Sequence, residues 1–115
     1  MDYEAELVRY LNNNLSFKWF HDVPAERPAQ FGVLRISSQA SDDRFRKRSS
    51  FIFKCFCDER KKLSAMANEL ETAIFSVPDD FANIFAAAYV GDYREVDATS
   101  GMQTRVITVE FTINE

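Results

Sequence analysis

The sequence predicts an α+β fold: a mostly antiparallel β-sheet with two helices packed on one face and a protruding β-hairpin. Two segments repeat apolar residues every three or four positions, as amphipathic helices do, and several others alternate apolar with polar residues, as strands do. The order helix, strands, helix, strands lacks the regular alternation of a doubly wound parallel sheet. At 115 residues the chain has the length of one domain, and we expect a single domain over 1–115.

The N-terminal part of the sequence predicts a helix, a short strand and a rigid connector. Apolar residues within 3–15 lie on one helical stripe, and Asp2 is the expected N-cap. Residues 17–21 alternate as a short strand. The segment 23–28 contains two prolines, which remove backbone donors and fix extended or turn geometry. We therefore expect this segment to connect the short strand to the next one rigidly.

The middle of the sequence predicts the hairpin. Segments 31–38 and 51–57 have strand composition, and the short distance between them favours an antiparallel connection. A charged run at 42–48 then lies at the tip of the hairpin. Four of the five residues at its end are cations, which need an anionic partner or open water. We expect this group to contact another protein surface, and the alternatives are that it is solvated or that it binds nucleic acid: Arg44, Phe45, Arg46, Lys47 and Arg48.

The second half of the sequence predicts one long helix and two strands. Asp58 is the expected cap of a helix of about four turns, and Pro78 is expected to close it. A strand at 88–97 is interrupted by Gly91. The last strand, at 105–114, alternates strictly between apolar and polar positions, which indicates one face in the core and one in water.

The hairpin strands carry large apolar residues on both faces, for example Phe31 on one and Leu34 on the other. Two helices on one face leave the second face uncovered, and the uncovered side of an antiparallel sheet is normally polar. The second apolar face therefore predicts contact with another sheet or subunit. The alternative is that loops at 24–30 and 81–87 cover it, and the sequence leaves both interpretations open.

Few residues are suited to catalysis or to holding a cofactor. Three isolated glycines exclude a Gly-rich phosphate loop, and His21, the single histidine, offers no ligand pair for zinc. Cys55 and Cys57 lie two apart on a strand, which disfavours a disulfide between them and predicts buried free thiols in a reducing compartment. A dyad of His21 with either thiol needs an exposed strand interior. We predict no enzymatic activity, no cofactor and no metal.

Charge is distributed unevenly along the chain. The net charge of −4 argues against the diffuse basic field of a general nucleic-acid binder. Residues 1–78 hold 12 Lys and Arg against 11 acids, whereas residues 79–115 hold 2 Arg against 7 acids. Two interpretations stay open: the asymmetry has no function, or the basic run meets an acidic surface of another copy. That acidic surface is predicted at Asp92, Glu95 and Asp97.

The motif VPAERP at 23–28 and the strand FGVLRI at 31–36 precede a variable loop, a strand leading into a long helix, and a terminal strand pair. This arrangement resembles the tail terminator and tail-completion proteins of long-tailed phages, which join the tail to the head. Residues 89–93 and the turn at 99–101 are similar to the terminal strand pair of these proteins. The resemblance covers nearly the whole chain.

The resemblance implies a structural virion protein, a minor tail protein of a phage or prophage, with no catalysis. Such proteins assemble as rings, commonly hexameric, on the last ring of tail tube subunits, stop its polymerisation and present a surface to the head. The expected partners are further copies of the chain, the major tail tube protein and a head-completion protein, with non-specific contact to passing DNA and no membrane. The expected location is the virion tail, after assembly in the host bacterial cytoplasm.

The residues alone also allow a second function. A single-stranded nucleic-acid-binding module could use the basic hairpin tip, because cations that flank an aromatic ring can grip phosphates while the ring stacks on a base. Phe45, Arg46 and Arg48 would form the contact set.

Overall fold

A computed structural model describes residues 3–41 and 46–114, which form a five-stranded sheet and two helices. The sheet order is β1-β2-β3-β5-β4, and every neighbouring pair is antiparallel except β1 with β2. The elements are α1 (Tyr3–Asn14), β1 (Lys18–Phe20), β2 (Gln30–Ser41), β3 (Arg46–Cys57), α2 (Arg60–Asp80), β4 (Ile84–Val96) and β5 (Gln103–Asn114). The predicted α+β class with a mostly antiparallel sheet is confirmed.

The long helix differs from its prediction at both ends. Asp58 does not cap it: the Asp58 N–H donates to the Ala29 carbonyl at 3.0 Å and so continues the hairpin ladder, and the N-cap is Glu59, which makes no side-chain capping bond. Pro78 does not close the helix either, because it lies inside the last turn. Pro78 has no N–H and so removes one intrahelical hydrogen bond, which the helix tolerates in its last turn. The Phe81 N–H then donates to the Val77 carbonyl at 2.9 Å and ends the helix.

The main core joins both helices to the sheet. Both helices and alternate residues of β3 and β5 contribute to a single hydrophobic cluster. Phe111 joins the two central strands, since its ring contacts those of Phe51 and Phe53 at centroid distances of 5.6 and 6.3 Å. Burying each such side chain contributes roughly 1.5–3 kcal/mol. The placement of both helices on one face stays a prediction.

A smaller cluster lies on the second face of the sheet. Phe31 and Phe56 stack with parallel rings 4.5 Å apart and are almost fully buried together with Val33. Phe20 and Met102 of the same chain pack against this cluster, whereas the loops expected to cover the second face were 24–30 and 81–87, so both interpretations stay predictions. The connector from β1 to β2 is fixed nearby, because Arg27 binds Asp97 beyond the end of β4 at 2.8 Å.

The hairpin strands are longer than predicted. β2 and β3 pair from Gln30↔Cys57 to Ser41↔Lys47, with an irregularity between Ile36 and Ser38, and β5 pairs with β3 as far as Arg46↔Asn114. The placement of Arg46, Lys47 and Arg48 at the tip is therefore wrong. Lys47 and Arg48 pair with β2 and β5 on both sides, and Arg46 pairs with β5, so these residues adopt strand geometry because neighbouring strands bind their backbone groups. The rest of the run, 42–45, lies outside the described residues, and the protrusion of the hairpin stays a prediction.

Candidate functional site

The most exposed large apolar side chains gather around β4. Val90, Val96 and Tyr93 are 63, 58 and 54% exposed, and Tyr89 is 40% exposed. Phe75 of α2, at 64% exposed, adjoins them, because its ring lies 5.7 Å from that of Tyr89. Single exposed apolar residues are ordinary, but a group of them on one element indicates a contact surface.

β4 is an edge strand, and its backbone has a side free to pair. After register shifts between Ile84 and Ala86 and between Tyr89 and Gly91, β4 pairs with β5 without interruption from Gly91 to Val96. We call the outer side of β4, with its exposed side chains, the open edge. Over 3–41 and 46–114, no strand of the chain lies beyond it.

The direction of each β4 amide follows from the turn to β5. The Asp97 N–H donates to the Met102 carbonyl at 2.9 Å, so it points toward β5. Because amides along a strand alternate in direction, those of Tyr93 and Glu95 also face β5. The amides and carbonyls of Asp92, Arg94 and Val96 then face away from β5, on the side where another strand could pair.

One carboxylate at the open edge is held by its neighbour on β5. Arg105 donates to Asp92 in a bidentate pair, Nε to Oδ1 at 2.9 Å and Nη2 to Oδ2 at 2.7 Å. These hydrogen bonds lower the pKa of Asp92, and the same bonds raise the pKa of Arg105. Asp92 is therefore ionised at neutral pH and fixed in direction.

The other edge of the sheet is closed by α1. The Asn12 side chain accepts a hydrogen bond from the Trp19 N–H at 2.7 Å and donates to the Trp19 carbonyl at 3.1 Å. Further along, the Glu4 carboxylate accepts from the Ile36 N–H at 3.0 Å. These side chains form hydrogen bonds with backbone groups that a further strand would otherwise bind. We call this side, along β1 and the outer part of β2, the capped edge.

Glycine opposite Trp19 is required by close packing on the capped edge. Gly32 pairs with Trp19 across β1 and β2, and a Cβ added there would lie 2.5 Å from the indole ring. The ring therefore lies directly over the glycine and is almost completely buried.

The three predicted acidic residues are each bound to a cation of the same chain. Asp92 binds Arg105, Glu95 binds Lys54 at 2.9 Å, and Asp97 binds Arg27 at 2.8 Å. Strand alternation places Asp92 and Glu95 on opposite faces of the sheet. Their common role as an acidic partner surface stays a prediction, but the geometry does not unite them in one patch.

The predicted basic contact group is only partly described. Arg44 and Phe45 lie outside the described residues, and Arg46, Lys47 and Arg48 are the first residues of β3. Consecutive strand residues point to opposite faces of a sheet, so Lys47 and Arg48 cannot both contact the same partner surface on one face. Their contact with another subunit or with DNA stays a prediction.

The two thiols are buried and free, as the sequence predicts. Burial raises the pKa of Cys55 to about 12, which keeps this thiol protonated and weakly nucleophilic at neutral pH. His21 lies beside Glu4, with Nδ1 3.3 Å from Oε1. The described residues contain no cluster of three or more His, Cys, Asp or Glu that could hold a metal ion. None of the helices in that part of the chain is long and apolar enough to span a membrane.

No protein-family model and no curated protein matches the chain. The strongest candidate for a functional site is therefore the open edge, on geometry alone. Sequence reasoning found most of the β4 strand but not its position at the edge. The available signal was that Tyr89, Val90, Tyr93 and Val96 occupy both faces of one strand without strict alternation.

Proposed function

We propose that this chain is a structural phage protein that forms a ring, terminates the tail tube and joins it to the head. The resemblance of the sequence to tail terminators supports the virion role. The open edge supports the assembly role, and it is the observation that carries the proposal. Thirteen residues of edge strand with exposed Tyr and Val side chains suit a repeated contact between copies better than they suit a monomer.

Self-assembly through such an edge is physically favourable. Pairing satisfies outward backbone groups, and covering the exposed side chains removes apolar surface from water. In a closed ring every copy uses the same two surfaces. The open edge is one of them, and a second surface on the neighbouring subunit completes the contact. The remaining partners in this proposal are the major tail tube protein and the head-completion protein.

Electron microscopy and light scattering of the purified full chain test the proposal. We expect rings of uniform diameter, either for the chain alone or at the ends of tail tubes when the tube protein polymerises in its presence. Val96→Lys, which places a charge on the open edge, should reduce ring formation or end binding at least tenfold. Val23→Lys is the matched control, since Val23 is also exposed, at 42%, but lies in the connector.

Two outcomes contradict the proposal. One is a chain that remains monomeric at high concentration and leaves tube length unchanged. The other is assembly that responds equally to Val96→Lys and Val23→Lys, because the open edge would then have no special part in it.

A further inference from the structure

We propose that the open edges of two copies pair antiparallel about a two-fold axis at Tyr93, which joins two sheets into one. This inference rests on the proposed function only in taking a second copy of the chain as the partner. It specifies which strand meets which, in what register, and through which side chains.

The outward amides select the strand pairs that can form. In an antiparallel pair, opposite residues with outward amides exchange two N–H···O=C bonds. Asp92 and Arg94 both face outward, so Asp92 of one copy can form such a pair with Arg94 of the other. The axis then passes between the two Tyr93 residues, which form a non-hydrogen-bonded pair with closely spaced side chains.

This register is self-complementary along the whole regular stretch of β4. The Asp92 carboxylate of each copy lies opposite the Arg94 guanidinium of the other copy. Two such pairs therefore flank the axis. The two Tyr93 rings meet at the centre, and just beyond the regular stretch the exposed Val96 lies opposite the exposed Val90, the extra residue of the register shift. Glu95 lies opposite Gly91, around which a side chain has open space. Cross-strand pairs of each kind stabilise antiparallel sheets.

Neighbouring registers lack this complementarity. An axis at Asp92 places two carboxylates opposite each other, an axis at Arg94 does the same with two guanidinium groups, and like charges directly opposite destabilise a sheet. An axis at Glu95 again pairs two carboxylates. An axis at Gly91 puts Asp92 opposite Val90 and centres the pair on the bulge.

The capped edge is a poorer partner for β4. Its Ile36 amide is already bound by Glu4, and both backbone groups of Trp19 are bound by Asn12. A second chain would have to displace these side chains before it could pair. The open edge of another copy has no such requirement for Asp92, which can keep its bonds to Arg105 because a carboxylate accepts several donors.

A closed ring made of three such dimers would have two identical faces, whereas the proposed ring meets the tube on one face and the head on the other. The two-fold dimer is therefore a form of the free chain, and its open edges separate when the ring assembles.

Cysteine cross-linking of the full chain tests the register. Tyr93→Cys places two thiols on the axis, with Cα atoms about 4.5 Å apart, within the range of a disulfide. Glu95→Cys is the matched control on the same strand, since its two copies would lie about 14 Å apart. We expect Tyr93→Cys to form a covalent dimer nearly completely on mild oxidation. Glu95→Cys and the wild type, whose thiols are buried, should form at least tenfold less.

Charge reversal supplies a second test that does not depend on oxidation. Arg94→Asp creates two symmetric carboxylate pairs and should weaken dimerisation about tenfold or more. Adding Asp92→Arg to that variant restores opposite charges across the axis and should recover most of the affinity. Circular dichroism of each variant confirms that it is folded before its affinity is compared.

The outcomes separate this inference from the proposed function. Cross-linking at Glu95→Cys but not at Tyr93→Cys, or no recovery in the double variant, overturns the register while ring formation still supports the proposed function. A clean Tyr93→Cys dimer, with no rings and no tube binding by the wild-type chain, supports the inference and contradicts the proposed function. A wild-type chain that stays monomeric at high concentration and leaves tube length unchanged overturns both.

Discussion

The two edges of this sheet differ in whether side chains of the same chain bind the outer backbone groups. On the capped edge, Asn12 binds both backbone groups of Trp19, and Glu4 binds the amide of Ile36. On the open edge, Asp92, Arg94 and Val96 turn their backbone groups outward amid exposed apolar side chains. One sheet thus has an edge closed by its own chain and an edge suited to a second chain.

This difference originates in short stretches of sequence. The capped edge has an N-terminal helix that carries an amide and a carboxylate to the strand, with Gly32 allowing Trp19 to lie flat against β2. β4 contains neither lysine nor proline, the residues with which proteins commonly protect an edge. Its two bulges interrupt pairing in its first half but leave Gly91 to Val96 regular.

The largest effect is expected from removing the indole at the capped edge. Trp19→Ala should lower the free energy of unfolding by about 3–5 kcal/mol, because the ring is fully packed and its loss leaves a cavity. Tyr93→Ala at the open edge should cost less than about 1 kcal/mol in the monomer, yet it should weaken self-association. Urea unfolding at low protein concentration measures the first effect and light scattering the second. Equal losses of stability would remove the distinction between the edges.

A medium effect is expected from opening the capped edge. Asn12→Ala leaves the partly buried backbone groups of Trp19 without partners, which should cost about 1–3 kcal/mol in the free energy of unfolding. Asn14→Ala is the matched control two residues away, since it loses only one exposed bond to the Tyr10 carbonyl. If both variants unfold at the same urea concentration, the Asn12 amide does not close this edge.

The smallest effect concerns the carboxylate at the open edge. Hydrogen bonds from Arg105 lower the pKa of Asp92 below its ordinary value of 3.8, so its contribution to stability is complete above that pH and is lost as the pH falls through the lower folded-state pKa. Asp92→Asn should therefore flatten the acid limb of the stability curve slightly. Thermal unfolding between neutral pH and pH 2 measures this slope. An unchanged slope would show that the pair contributes nothing on this exposed strand.

The sequence predicted the elements of the fold better than its edges. Strict alternation in 105–114 and the helical stripe of α1 identified those elements, because periodicity records which side of an element is buried. Pro78 and the charges at 46–48 were misread, since tertiary pairing and packing overrode local preference. The polar contacts of Asn12 and Glu4 with distant strands leave no mark in a periodic pattern, so neither the capped edge nor the open edge could be assigned before the strand order was known.

Amide hydrogen exchange at several protein concentrations tests the central claim most directly, because it reads the backbone of both edges in one sample. We expect the Trp19 amide to be protected at every concentration, since Asn12 binds it within the chain. The outward amide of Arg94 should exchange rapidly in dilute solution and become protected as the concentration rises and open edges pair. An Arg94 amide that exchanges equally fast at the highest and lowest concentrations would contradict assembly through the open edge.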